Sequence, residues 1–346
     1  MSIIEIRDSK AGTDATSQGP GVPLVWADGF VVWPNGLGLD TLSPTGFSFI
    51  SNAHVNAPPG RILATSTTFK LMSRRVPESD RLTATFEQPF KLGPLELTLV
   101  PAGTIPGSAQ LLINVRGTRI LYASGVQTSV PLAAERIRIP SADLLILGQK
   151  DMPPAQLVSP RRTAERAAAW AMETASAGFT PVFLTEPVGL AQALARVLVE
   201  KGIRPRVHRH IYEVARVYEK HGIRVEGIRR LDAKPDGWDV VIIPRDLGNS
   251  PVWKSLGRMR TALVGPYIDP VRPGEFDDVF KMSTAVDRRG LLKYVTATGC
   301  RRVALSPVYA DSFAKALARR SIEVYHFREP SQLSLRLEAG EKRRKK

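Results

Sequence analysis

The chain has 346 residues, 43% of them apolar, which suffices for one large or two ordinary domains with a core of normal size. Its one cysteine, Cys300, excludes a disulfide scaffold and a cysteine-built zinc ribbon, and apolar runs such as 240–243 are far too short to span a bilayer. The net charge of +15 is uneven: residues 1–150 carry 13 Lys/Arg against 11 Asp/Glu, and residues 151–346 carry 35 against 22. Such an excess points to a polyanion partner, most simply nucleic acid, RNA or DNA, and the short apolar runs lead to no expectation of a membrane partner.

No charged-then-apolar leader opens the chain, so a cytoplasmic location is expected. PLVWADGFVVWP (23–34) reads as two strands about an Asp-Gly turn. A short helix is expected near TSTTFKLMSR (65–74), and strands at RLTATFE (81–87) and LELTLV (95–100). SAQLLINVRGTRILYAS (108–124) reads as a hairpin turning at Arg116-Gly117, and DLLILG (143–148) as a strand buried on both faces. Ser159-Pro160 then looks like an N-cap with proline at N1, opening a helix that stops near Gly178. From 180 to 327 strands (181–186, 239–244, 261–267, 301–306, 322–327) alternate with helices (189–202, 210–222, 288–299, 313–320), the mark of a mostly parallel sheet.

Three segments in this order resemble the metallo-β-lactamase-fold nucleases of the β-CASP group. ISNAHVNA (50–57) has the cadence of their His-x-His-x-Asp-His loop, and PAGTIPGSAQLLI (101–113) resembles their AGHxPGSAQ segment. MSTAVDRRGLLKYVTATGCRRVALSPVYADSFAKAL (282–317) resembles their closing Ser-Asp-His motif, helix, strand and His-Gly. FLTEPVGLAQALARVL (183–198) looks like the GxxQ helix of the β-CASP insert. Ligase-associated DNA exonucleases and archaeal mRNA 3′-end processing factors look closest.

The resemblance implies an α/β fold: a metallo-β-lactamase-like αββα sandwich with an inserted β-CASP-like α/β domain. The implied divisions are 1–160 for the first part of the sandwich, 170–270 for the insert, 275–330 for the closing part and 331–346 for a basic tail. It also implies a two-metal nuclease site, and most of that site's residue types are replaced. Asn52, His54, Asn56 and Ala57 stand in the histidine loop, Thr104 at the AGH histidine, Gly125 at the next aspartate and Pro307 at the final histidine. Of these seven ligand positions only His54 keeps its type. The acid–base positions read Gly148, Thr284 and Ala285, and neither glycine nor alanine can move a proton. Gly103, Pro106, Gly107, Ser108, Ser283 and Asp287, which would keep the loops in shape, remain.

The expectation is therefore a catalytically inactive relative with no metal or other cofactor, acting as a nucleic-acid-binding or scaffold subunit beside an active β-CASP nuclease or another processing protein. One alternative is a working nuclease with relocated oxygen ligands, drawn from Asp28, Asp40, Asp143, Asp151 and Asp287, holding Mg²⁺. Another is a pure protein–protein module. Candidate phosphate contacts are Arg204, Arg206 and Arg209 in RPRVHRH (204–210), Arg288, Arg289, Arg301 and Arg302 flanking the helix 288–299, and Lys342, Arg343, Arg344, Lys345 and Lys346. His208 and His210, at i and i+2, would share one face if 204–210 were a strand. Cys300 reads as a small buried residue, and the tryptophans as core more than stacking platforms.

Overall fold

The computed structural model describes residues 3–6, 22–26, 29–32, 36–149, 155–232, 239–247, 256–266 and 274–327. Three sheets organise them. The first runs in chain order through β1 (Ile3–Ile6), β2 (Val22–Trp26), β3 (Phe30–Val32), β4 (Leu37–Leu39), β5 (Phe47–Phe49), β6 (Arg61–Ala64) and β7 (Arg81–Thr83), antiparallel as far as β4 and parallel beyond it. The second takes β8 (Phe90–Leu92), β9 (Leu95–Pro101), β10 (Ala109–Val115), β11 (Thr118–Ala123) and β12 (Leu144–Leu147) from the same stretch of chain. It is completed much later by β19 (Arg302–Leu305) and β20 (Glu323–His326), both parallel to β12. The β10–β11 hairpin turns where expected, with Arg116 (φ 50°) and Gly117 (φ 80°) both left-handed, as a two-residue turn between right-twisted strands requires.

The two sheets face each other. Leu37, Leu39, Phe49 and Leu63 of the first pack with Leu97, Leu111, Ile120, Tyr122, Leu144 and Ile146 of the second in one core. Alternate residues of the central strands look the other way. Leu121, Ala123, Leu145 and Leu147 pack under α5 (Arg288–Ala297) and α6 (Asp311–Ala318), which is why β12 reads as an unbroken apolar run. On the far side, α1 (Ser66–Met72) covers Ile62 and Ala64. The layers are thus helix, sheet, sheet, helix.

Between β12 and β19 the chain builds a third, all-parallel sheet from β13 (Thr180–Thr185), β14 (Pro205–Val207), β15 (Arg229–Arg230), β16 (Val240–Pro244), β17 (Met259–Gly265) and β18 (Asp278–Lys281). Its strand order is β15-β14-β16-β13-β17-β18, with α2 (Pro160–Ser176) and α3 (Leu190–Glu200) packed on the face that carries Phe183, Val240 and Ile242. α4 (Arg209–Lys220) turns Val214, Ala215 and Tyr218 toward α1, joining this unit to the sandwich. α2 opens with Ser159 accepting from Arg162 N at 3.3 Å and Pro160 at the first turn, so the unit starts nearer 160 than 170. It runs on through β18, beyond the expected boundaries of 270 and 275, because Asp278–Lys281 hydrogen-bonds along β17.

Two further expectations need correction. Residues 81–87 form a strand only to Thr83; Phe86 makes an isolated bridge to Leu99 before Glu87 turns left-handed at φ 60°. Residues 204–210 are a strand only to Val207. His208 caps α4, its Nδ1 accepting from His210 N at 3.2 Å, so the two histidines share no strand face.

Candidate functional site

The C-terminal ends of the parallel strands in both sandwich sheets meet at one rim. Asp40 follows β4, Asn52 to Ala57 follow β5, Thr104 follows β9, Gly125 follows β11, Gly148 follows β12 and Pro307 follows β19. The rim is where open sheets place ligand-binding loops. Its loops are tightly tied. Gly103 and Gly107 both have positive φ, and a Cβ at Gly107 would lie 2.6 Å from Thr65 Oγ1. Thr65 and Thr68 hydroxyls donate to Gly107 O at 2.8 and 3.0 Å, while Ser108 Oγ accepts from Thr104 N and Ile105 N. Ser283 Oγ accepts from Ala285 N at 3.0 Å.

A buried network occupies the centre. Asp40, 1% exposed, accepts from Ser51 N at 2.7 Å, Ser51 Oγ at 2.6 Å and the Tyr122 hydroxyl at 2.9 Å. Burial pushes the Asp40 carboxyl above the usual aspartate range, against the pull of these hydrogen bonds. Burial first, and the Asp40 charge second, push the Tyr122 phenol far above its ordinary value, so it stays a donor. Tyr122 also fills the space in front of Gly148: a Cβ there would lie 2.2 Å from its hydroxyl oxygen. Sequence reasoning missed this tyrosine. An aromatic residue inside a predicted core strand gives no sign that its hydroxyl reaches the rim.

The other rim positions are spread out and mostly self-satisfied. Asn52 Nδ2 donates to Ser51 Oγ at 3.0 Å and its Oδ1 accepts from His54 N at 2.9 Å. His54 keeps an edge open to solvent, while burial of the rest of its ring, with the Arg75 charge adding to it, lowers its imidazole below the ordinary value. Asn56 is exposed and Ala57 packs at the edge of the α1–α4 core. Gly125 lies beside the Thr104 methyl group, and Thr284 O accepts from Gln127 Nε2 at 3.3 Å. Gly189, at φ 93°, presses the start of α3 against Ile105 and Thr284 and brings the third-sheet unit near His54 Nε2. Between them remains a cavity of about 20 Å³, lined by Thr104, Gln127, Gly189, Ser283 and Thr284 among others. That is room for a water molecule, not a nucleotide.

Among the described residues no three His, Cys, Asp or Glu side chains converge as a metal ion requires. The donors present at the rim do not fit the two-metal centre that the resemblance implies. The relocated-ligand alternative fares no better at its described positions. Asp40 serves the Tyr122 network, Asp143 accepts from Arg119 N at 2.8 Å, and Asp287 accepts from Gly290 N at 2.7 Å and Leu157 N at 3.0 Å. Asp28 and Asp151 lie outside the described residues.

The cation candidates separate as well. Arg206 pairs with Asp239 across β14 and β16, and Arg209 pairs with Glu213 at 2.7 Å, leaving Arg204 exposed. Arg302 is 9% exposed inside the second sheet, an unsuitable place for a phosphate contact. Arg301 and Arg302 follow the C-terminal end of α5 and Arg288 and Arg289 begin it. A ten-residue helix, about 15 Å long, separates the two pairs. Lys342, Arg343, Arg344, Lys345 and Lys346 lie outside the described residues. Cys300 is buried and its thiol is pushed up by that burial. Trp170 packs on Phe183 and Phe280; Trp33, Trp238 and Trp253 lie outside the described residues.

No helix among the described residues is long and apolar enough to cross a membrane. No family model matches the chain. A protein of Opitutus terrae named "Probable DNA ligase" is 29% identical over 311 residues, which cover 86% of this chain. The match spans 30% of that protein's length.

Proposed function

We propose that the chain is a non-hydrolytic member of the metallo-β-lactamase/β-CASP fold group, serving as a nucleic-acid-binding or scaffold module beside a partner that performs the chemistry. Two sheets of matching mixed pairing, helices outside both, and a parallel-sheet unit entering between β12 and β19 support the fold reading. One observation carries the functional reading: Tyr122 stands against Gly148 with its hydroxyl on Asp40, where the resemblance calls for an acidic side chain at 148. The buried hydroxyl holds that position closed, so a carboxylate could not return by a single exchange. The relative's name supports DNA as the polyanion and a DNA-joining protein as the kind of partner.

Elemental analysis of purified protein, paired with a cleavage assay on labelled DNA and RNA in Mg²⁺, Mn²⁺ and Zn²⁺, tests the reading. The expected result is less than a tenth of a metal per chain and no cleavage above buffer. One or more metals per chain, with cleavage that disappears in Asp40→Ala, overturns it in favour of relocated ligands. Failure of the intact protein to bind either nucleic acid near 0.1 M salt leaves the protein–protein module in its place.

A further inference from the structure

The outer face of α5 carries a feature that the rim does not. Leu291, Tyr294 and Val295 turn inward to the core. Arg289, Lys293 and Thr296 are exposed and, with half-buried Arg288 and Leu292 and with Arg320 just past α6, line an open groove of about 450 Å³. Arg289 and Lys293 are one turn apart on this face, and Arg288 stands beside Arg289 at the start of the helix. Arg320 joins them through the fold; its position in sequence gave no reason to group it with Arg288.

Among the described residues the lining of this groove carries cations and no carboxylate. Residues 288–320 contain eight Lys/Arg and one acid, Asp311, which starts α6 at the end away from Arg320. The neighbouring Asp287 spends both carboxylate oxygens on backbone amides, those of Gly290 and Leu157. Arg320 Nη1 donates to Ala316 O at 2.6 Å, and no carboxylate among the described residues pairs with it. Arg288 Nε is buried without a hydrogen-bond partner among the described residues. Arg288 and Arg289 also sit in the first turn of α5, where the helix dipole already favours an anion. Four cations along one open groove fit the successive phosphates of a strand better than a single carboxylate ligand.

We infer that this α5–α6 groove seats the phosphodiester backbone of DNA, making the outside of the sandwich, not the closed rim, the nucleic-acid contact. The inference rests on the nucleic-acid reading above and can fail without it. The test is fluorescence-anisotropy titration of the full chain with a labelled DNA duplex at several salt concentrations. The variants are the fourfold Arg288→Ala, Arg289→Ala, Lys293→Ala, Arg320→Ala, and a control with the same charge change, Arg209→Ala, Arg216→Ala, Arg224→Ala, Arg230→Ala. A charge-keeping variant, Arg288→Lys with Arg289→Lys, checks that folding and charge survive together. Each phosphate contact contributes about −0.7 to −0.9 to the slope of log K against log salt. The groove variant should therefore flatten the slope by about 3 and lose at least tenfold in affinity near 0.1 M salt, while the control and the lysine variant stay within about threefold of the parent. If the parent binds and the groove and control variants weaken equally, or neither weakens, the groove is not the contact although the nucleic-acid reading stands. If the parent does not bind, both fail.

Discussion

Replacing Gly148 with alanine measures how firmly the rim is closed. A Cβ at this position would lie 2.2, 2.3 and 2.5 Å from the hydroxyl oxygen, Cε2 and Cζ of Tyr122, roughly 1 Å short of ordinary contact. The ring has little freedom to retreat: Tyr122 is 0% exposed and meets Phe49 edge-on at 6.1 Å. Overpacking of this kind costs about 1–3 kcal/mol, and the hydrogen bond to the buried Asp40 carboxyl, lost if the ring moves, about 1–2. The two overlap, so the expected loss is about 3 kcal/mol. Tyr122→Phe is the reference: it gives up the hydrogen bond without the clash and should cost about 1–2 kcal/mol. Urea unfolding followed by tryptophan fluorescence reads the difference; at an m-value near 3 kcal/mol/M the Gly148→Ala midpoint should fall by about 1 M. A fall under about 0.2 M, or one smaller than that of Tyr122→Phe, would refute the view that the ring closes the position.

Asp40→Asn should shift stability in a pH-dependent way. The folded carboxyl titrates above its ordinary 3.8, so the folded state holds the proton more tightly than the unfolded one. The parent's contribution from this group is then complete below about pH 4 and lost as pH rises through the folded pKa. The variant, which cannot ionise, should compare more favourably with the parent at pH 8 than at pH 4; equal gaps in denaturation midpoint at both values would contradict the sign. Asp287→Ala removes the cap of α5 and the tie to Leu157, and should cost about 2–3 kcal/mol by urea unfolding, with Asp287→Asn recovering only about half, since its one carbonyl oxygen can accept from only one of the two amides. Equal losses for the two would show that the acceptor geometry is not what matters.

Local chemistry made much of this fold legible. Ser159-Pro160 announces α2, Arg116-Gly117 announces the hairpin, and four consecutive apolar residues at 144–147 announce a strand covered on both faces. The sequence is less clear about membership. The alternation from 180 to 327 reads as a single run, but its strands divide between two sheets because β18 pairs with β17 and β19 pairs with β12. The rim positions could be located from loop residues that keep their shape. What fills them could not, because the Tyr122–Asp40 bond joins residues 82 apart and depends on two sheets facing each other. Arg206 looked available in RPRVHRH for the same reason: its partner, Asp239, is 33 residues away.

Net charge illustrates the same difficulty and where it ends. The surplus belongs to the second half of the chain, and that half includes the third-sheet unit, whose arginines are numerous. Yet Arg161 meets Glu200 and Glu165, Arg196 meets Glu200, Arg209 meets Glu213, Arg216 meets Glu219 and Arg230 meets Asp232. Each exposed pair contributes well under 1 kcal/mol to stability. Its larger consequence is for the field: two opposite charges a few ångströms apart largely cancel within the Debye length, about 10 Å at 0.1 M salt. A phosphate approaching this unit therefore meets far less attraction than the arginine count suggests. Along α5 and the end of α6 the cations have no carboxylate within the same segment except Asp311, and their attraction survives to that distance. The proposed contact rests on that contrast: the α5–α6 groove gathers Arg288, Arg289, Lys293 and Arg320 with no carboxylate in its lining among the described residues.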